Sequence, residues 1–199
     1  MTFAKRQRAQ LLEKMRELGP FAETACEGWK TQDLAAHLWV REHKPAALPG
    51  IGLERFAART ARIQQNALHT QGYHQLLDAL AKPSLLVRPV DPIVGAVEWY
   101  IHHEDVLRPR GEKVALTDDE VKSLEKVALA LAVKTQLGKG FRLVVTPTGS
   151  RPRSIGKGSR TIHVDGAANE LLLHFTGREA EVTATGDDVE YYLATLTGL

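Results

Sequence analysis

The hydrophobic pattern of this chain changes period once, near residues 110–116, and that change restricts it to two differently built parts. Before it, apolar residues recur at helical spacing between Pro and Gly breaks. Residues 3–18 place Leu11, Leu12, Met15 and Leu18 on one face among lysines and arginines, and Gly19-Pro20 stops the run. A second helix is expected from Thr31 as N-cap, with Asp33 in the first turn where the helix dipole favours an anion. It runs through DLAAHLWVREH and must end before Pro45, after which AALPGIG reads as a loop. A third helical stretch, from about 53 to 81, is interrupted at Gly72 and closed by Lys82-Pro83. The fourth opens on Asp91 as N-cap with Pro92 at the first helical position, and continues through GAVEWYIHHEDVL to Arg108-Pro109-Arg110-Gly111. Four helices joined by short breaks predict a four-helix bundle over residues 1–112.

After the change, Thr117-Asp118-Asp119-Glu120 caps another helix, whose apolar run VALALAVKTQL ends at Gly138. FRLVVTP and RTIHV read as strands, AANELLLHFTG as a helix, EAEVTAT as a strand and DDVEYYLATL as a closing amphipathic helix. Residues 113–199 are therefore expected to form a small α/β domain, and the chain as a whole to be mainly α.

Composition narrows the function. With 43% hydrophobic and 25% charged residues the chain is not generally disordered. No apolar run approaches the ~20 residues of a membrane span, and MTFAKRQRAQ has no apolar core behind it, so a cytoplasmic protein with no membrane partner is expected. Lys and Arg (26) nearly balance Asp and Glu (24), which points to no polyanion partner. The loop RPRSIGKGSR carries Arg151, Arg153, Lys157 and Arg160, but no aromatic residues interleave to stack on bases. It reads as a solvated hairpin loop, and no nucleic-acid partner is expected. A single cysteine, Cys26, rules out an internal disulfide and a metal site built on clustered thiolates. Its place in a loop before Trp29 reads as an incidental thiol.

The eight histidines remain. An acid four residues before a histidine shares its helical face, so both can reach one metal ion. The sequence has three such pairs: Asp33/His37, Glu98/His102 and Glu170/His174. Spacing alone does not choose among them. Glu98 and His102 lie among Val94, Val97 and Ile101 at helical spacing, so their face is expected to turn inward, where unpaired charge is costly. His37 sits similarly between Leu34 and Leu38. If the two helices face each other, His37, Glu98 and His102 supply two imidazoles and a carboxylate, a set that holds a divalent metal with positions left open. Asp33 and Asp105 are placed to orient the ligating rings, although Asp33 serves equally well at the helix N-terminus. Glu170/His174 is the rival pair, with no third ligand nearby. His103 and Glu104 are expected on solvated faces, and His43, His69, His74 and His163 as surface or structural residues. Trp29, Trp39 and Trp99 read as core.

The pattern Trp29-x3-Asp33-Leu34-x2-His37-Leu38, followed by Glu98-x3-His102-x2-Asp105-Val106, resembles the DinB-like metal-binding helical superfamily. The stretches HLWVREHKPAALPGIG and VEWYIHHEDVLRP are similar to an actinobacterial branch of uncharacterised metal-binding proteins related to mycothiol-dependent maleylpyruvate isomerase. The likeness covers residues 1–110 well. It extends more weakly to GAANELLLHFTGR, which resembles the sterol-carrier-like domain following the bundle in these isomerases. The resemblance implies His37, Glu98 and His102 as metal ligands, with zinc the usual ion and nickel or iron as alternatives. It implies a small-molecule thiol, mycothiol or one like it, as co-substrate for addition to an electrophile, with no nucleophile from the chain itself. Arg41, four residues after His37, is then either an anion-holding residue or a rim arginine paired with a carboxylate. Arg178 matches an arginine that faces the cleft in the isomerase-type domain. A thiol-dependent transferase or isomerase, monomeric or homodimeric, is the leading expectation; a non-catalytic metal-binding or ligand-sensing module is the alternative.

Overall fold

The computed structural model describes residues 1–44, 54–82, 96–136 and 139–196. The loop AALPGIG, the capping pair Asp91-Pro92, Val94 and the helix stop at Gly138 lie outside the described residues. The chain divides into two compact units, Met1–Ala115 and Leu116–Leu199. The first is helical; the second is a mixed four-stranded sheet with helices.

In the first unit, α1 (Phe3–Leu18) starts where the Thr2 hydroxyl accepts from the Lys5 amide. It ends at Gly19, whose positive φ of 75° lets its N–H return to the Met15 carbonyl. Leu11, Leu12 and Met15 are buried, as their spacing requires. The helix α2 (Thr31–His43) begins one residue differently from expectation. Lys30 occupies the N-cap, and the Asp33 carboxylate accepts from its amide at 2.9 Å. Thr31 is instead the first helical residue, and its hydroxyl goes to the Gly19 carbonyl. The third stretch is two helices, α3 (Glu54–Gln71) and α4 (Tyr73–Leu80), divided at Gly72, where a φ of 78° breaks the helical path. The last, α5 (Ala96–Leu107), runs into a 3-10 turn over Arg108–Arg110. Pairing α1 with α5 and α2 with α3 and α4 encloses one core, with Leu34, Leu76, Leu77 and Trp99 at its centre.

Helix α5 corrects one expectation. His103 and Glu104 do not face solvent: every residue from Trp99 to Leu107 is buried. The ring Nδ1 of His103 meets Gln7 Oε1 at 2.8 Å. The Glu104 carboxylate accepts from Arg108 Nε at 2.7 Å and from the Val114 amide at 3.0 Å. Helical periodicity assigns a polar face to polar residues, but a helix enclosed all round has no solvent side, so its polar groups need internal partners.

In the second unit, a reciprocal Thr117–Glu120 capping box opens α6 (Asp118–Gln136). The sheet contains β1 (Phe141–Pro147), β2 (Arg153–Ile155), β3 (Arg160–Gly166) and β4 (Val182–Gly186), in the order β2-β1-β3-β4. β1 and β3 pair in parallel, so the arginine-rich segment between them is not a hairpin loop. Part of it forms β2, antiparallel to β1 with Leu143 opposite Ile155. Such a short segment of polar residues carries too little alternation to show as a strand. Helix α7 (Ala168–Phe175) packs on α6, and α8 (Val189–Ala194) follows β4.

Burial gives this unit a pH dependence. His174, buried with Nε2 at 2.8 Å from the Tyr192 hydroxyl, has its pKa lowered from 6.5 to about 4. Between those values the unfolded chain takes up a proton that the folded one refuses. Stability is therefore full above pH 6.5 and falls as pH drops toward 4, by up to about 3 kcal/mol from this group. Denaturant unfolding of residues 116–199, followed by hydrogen exchange resolved by peptide, should show that decline between pH 7 and 5. His174→Gln should flatten it.

Candidate metal centre

The candidate centre is built by α2 and α5, with the loop between α1 and α2 beside it. His37 lies in the middle of α2 and is buried. Its Nδ1 is 3.1 Å from Gln64 Nε2 on α3, and its ring packs 5.0 Å from Trp29 and 5.2 Å, edge-on, from the His102 ring. Glu98 and His102 sit one turn apart on α5, with Glu98 Oε2 3.6 Å from His102 Nε2. One ligand atom from each of His37, Glu98 and His102 can be chosen so that all lie within 4.8 Å of one another. Around a zinc ion with bonds of about 2.0–2.2 Å, tetrahedral ligand atoms stand roughly 3.3–3.6 Å apart. Small rotamer adjustments span the difference, so the donor set fits a divalent cation.

The neighbours fix how each donor points. His102 Nδ1 is 2.9 Å from Asp105 Oδ2, which directs Nε2 toward Glu98. Arg41 NH2 lies 2.9 Å from Glu98 Oε1, leaving Oε2 on the His102 side. Burial raises the Glu98 pKa, but the His102 hydrogen bond and the Arg41 and histidine charges outweigh it and bring it down to about 2. Glu98 is therefore anionic at any ordinary pH. Burial opposes charge on His102 as well. Hydrogen bonds to Asp105, Cys26 and Glu98 overcome that and hold its pKa well above 6.5. Asp105 and Glu98, one at each nitrogen edge, thus stabilise a positive charge on the His102 ring.

No protein-family model matches the chain, and no curated protein does so by sequence. Solved structures do. The crystal structure of the mycothiol-dependent maleylpyruvate isomerase superposes with a TM-score of 0.59, covering 92% of this chain and 90% of that one at 17% identity. A histidine-to-alanine mutant of that isomerase gives a TM-score of 0.57 with the same coverage and 16% identity. The chain has the maleylpyruvate isomerase fold. The fold implied by the sequence resemblance is the fold observed.

Within this isomerase fold the remaining candidates are distributed as follows. Asp105 contacts His102, whereas Asp33 is engaged at the N-terminus of α2, its carboxylate on the Lys30 amide. Arg41 is paired with a carboxylate, and that carboxylate is Glu98. Arg178 lies in the second unit, donating to the Thr176 carbonyl at 3.0 Å. The rival pair goes separate ways: Glu170 accepts from the Glu181 amide at 2.9 Å, and His174 meets Tyr192. Two residues escaped the sequence reading. Gln64 touches His37 from another helix, and no local pattern marks it. Cys26, read as incidental, has its Sγ 3.2 Å from Asp105 Oδ2. It arrives there because the Ala25 amide bonds the Asp105 carbonyl at 2.7 Å, a long-range contact that spacing does not encode.

Proposed function

We propose that this protein binds one divalent cation through His37, Glu98 and His102, and uses it in a reaction of a small-molecule thiol with an electrophilic substrate. The observation that carries the reading is the convergence of these three donors from two helices, with Asp105 behind His102. The thiol is taken from the solved structure of the same fold, which is named as mycothiol-dependent. Two imidazoles and a carboxylate suit zinc, with nickel or iron(II) also accommodated.

A divalent ion held there supplies a Lewis-acid position at which a thiol gives up its proton near neutral pH. The chain's residues prepare that position. Glu98 provides a fixed negative charge, kept ionised by Arg41 and His102. Asp105 sits on the Nδ1 edge of His102, so that a cation displacing the Nε2 proton would meet the Nε2 lone pair. Trp29 packs beside His37 and restricts its ring. Asp105→Ala is expected to weaken metal binding by about 10–100-fold, because His102 loses its orienting partner; a competition titration against a chromogenic chelator reads this directly.

Turnover has its own test. Metal-loaded protein mixed with mycothiol and an electrophilic unsaturated carboxylate should convert that electrophile, by thiol addition or by isomerisation with the thiol regenerated, faster than His37→Ala protein does. Equal rates would favour the second reading, a metal-binding sensor without turnover. That reading draws on one contact: Arg41, the nearest candidate for an anionic substrate, is engaged with Glu98.

A further inference from the structure

The His102 ring has two nitrogen edges, and each faces a different set of donors. Nε2 faces Glu98, with His37 beyond it. Nδ1 faces Asp105 Oδ2 at 2.9 Å, and the same carboxylate oxygen lies 3.2 Å from Cys26 Sγ. We propose that Cys26, Asp105 and the Nδ1 edge of His102 form a second cation site, specific for thiophilic ions such as cadmium or zinc, and filled only when the His37/Glu98/His102 site is empty.

Geometry supports the site first. Ligand atoms of the three residues can be chosen to lie within 4.8 Å of one another. Tetrahedral coordination with bonds of about 2.0–2.3 Å needs separations of roughly 3.3–3.8 Å. The two observed contacts on Asp105 would open by a few tenths of an ångström, which a half-buried cysteine on a loop permits. That loop is nevertheless pinned close to the site. The Ala25 amide bonds the Asp105 carbonyl, and the Thr24 hydroxyl accepts from the Cys26 amide at 3.2 Å and donates to the Trp29 carbonyl at 2.8 Å. A bridge between Glu23 and Lys30 closes its base.

Chemistry supplies the selectivity. One carboxylate oxygen of Asp105 stands against both the cysteine sulfur and a ring nitrogen, so a single cation can replace the protons held between them. On binding, the thiol proton and the Nδ1 proton leave to solvent, and sulfur and nitrogen each donate a lone pair. The Nε2 proton stays, facing the Glu98 carboxylate. In the first site the arrangement is reversed: Nε2 donates to the metal and Nδ1–H is held by Asp105. A neutral imidazole offers one lone pair at a time, so one ring serves one site. Thiolate favours soft ions, whereas the first site has only nitrogen and oxygen donors. The exclusion rests on the proposed metal site; the existence of the cysteine site does not.

The test uses the metal-free full chain titrated with Cd2+, read by the ultraviolet thiolate-to-cadmium charge-transfer band. The band should saturate at one equivalent, persist in His37→Ala and vanish in Cys26→Ser. It should need at least about tenfold more Cd2+ in Asp105→Asn. No band in the native chain, or identical titrations of the native chain and Asp105→Asn, would overturn the site, the latter showing a thiol that binds alone. In nickel-loaded protein, saturating the band should release one nickel per chain, while Cys26→Ser keeps its nickel at the same Cd2+ concentration. Full nickel retention under a saturated band would overturn the exclusion. Should His37→Ala bind no nickel but still develop the band, both sites stand as separate assignments. A native chain that binds no nickel but develops the band would reject the first site alone.

Discussion

His37→Ala and His102→Ala, each made in a Cys26→Ser background that removes the cysteine site, are expected to leave the purified protein without stoichiometric divalent metal, while its helical circular dichroism is retained. Two donors cannot hold an ion that three hold, and the loss should exceed the ~10–100-fold expected from removing an orienting partner such as Asp105. The variants differ in an informative way. His37 lies between Trp29 and the His102 ring, so its removal leaves the Glu98–His102–Asp105 row in place. His102→Ala removes the centre of that row, leaving two carboxylates whose shared cationic partner is gone. It should therefore also lower the melting temperature of the metal-free protein more than His37→Ala does.

The second large effect lies in the support of the centre. Arg8 on α1 is buried, and its guanidinium meets the buried Glu42 carboxylate at the end of α2, with NH1 3.2 Å from Glu42 Oε2. The same NH1 donates to the Leu80 carbonyl at 3.0 Å, and the guanidinium lies 4.2 Å from the Trp99 ring centre. One arginine thus joins four helices, including α2 with His37 and α5 with Glu98 and His102. Glu42→Ala is expected to cost about 3–5 kcal/mol, because it removes the carboxylate that neutralises a buried guanidinium. Urea unfolding measures this, and the double variant Arg8→Met/Glu42→Leu should recover most of the loss, since both charges of the pair are then removed together. Failure of the double variant to recover would mean that the cation–π contact and the Leu80 bond contribute more than the ion pair.

Local signals made much of this legible. Helix starts and stops follow Gly19, Gly72 and Thr117, where a positive φ or a capping side chain acts within a few residues. The same holds for the Glu98/His102 spacing, which one helical turn dictates. What escaped depends on contacts far apart in sequence. Cys26 reaches Asp105 across 79 positions and Gln64 reaches His37 across 27, with no periodicity linking them. His103 and Glu104 are polar yet buried, because neighbouring elements enclose their helix and polarity alone does not set exposure. Strand β2 is three residues long, too short for alternation to announce it. Asp33 occupies a position that suits both a helix cap and a ligand's orienting partner, and its carboxylate is engaged by the Lys30 amide at the start of α2.

The central claim is that one divalent ion lies between His37, Glu98 and His102. The most direct measurement is an anomalous difference map from crystals of the metal-loaded protein, collected at the absorption edge of the ion found by elemental analysis. One peak within bonding distance of His37, Glu98 Oε2 and His102 Nε2, at full occupancy, is the predicted result. Stoichiometric metal in solution with its peak elsewhere in the chain, or no retained metal at all, would contradict it.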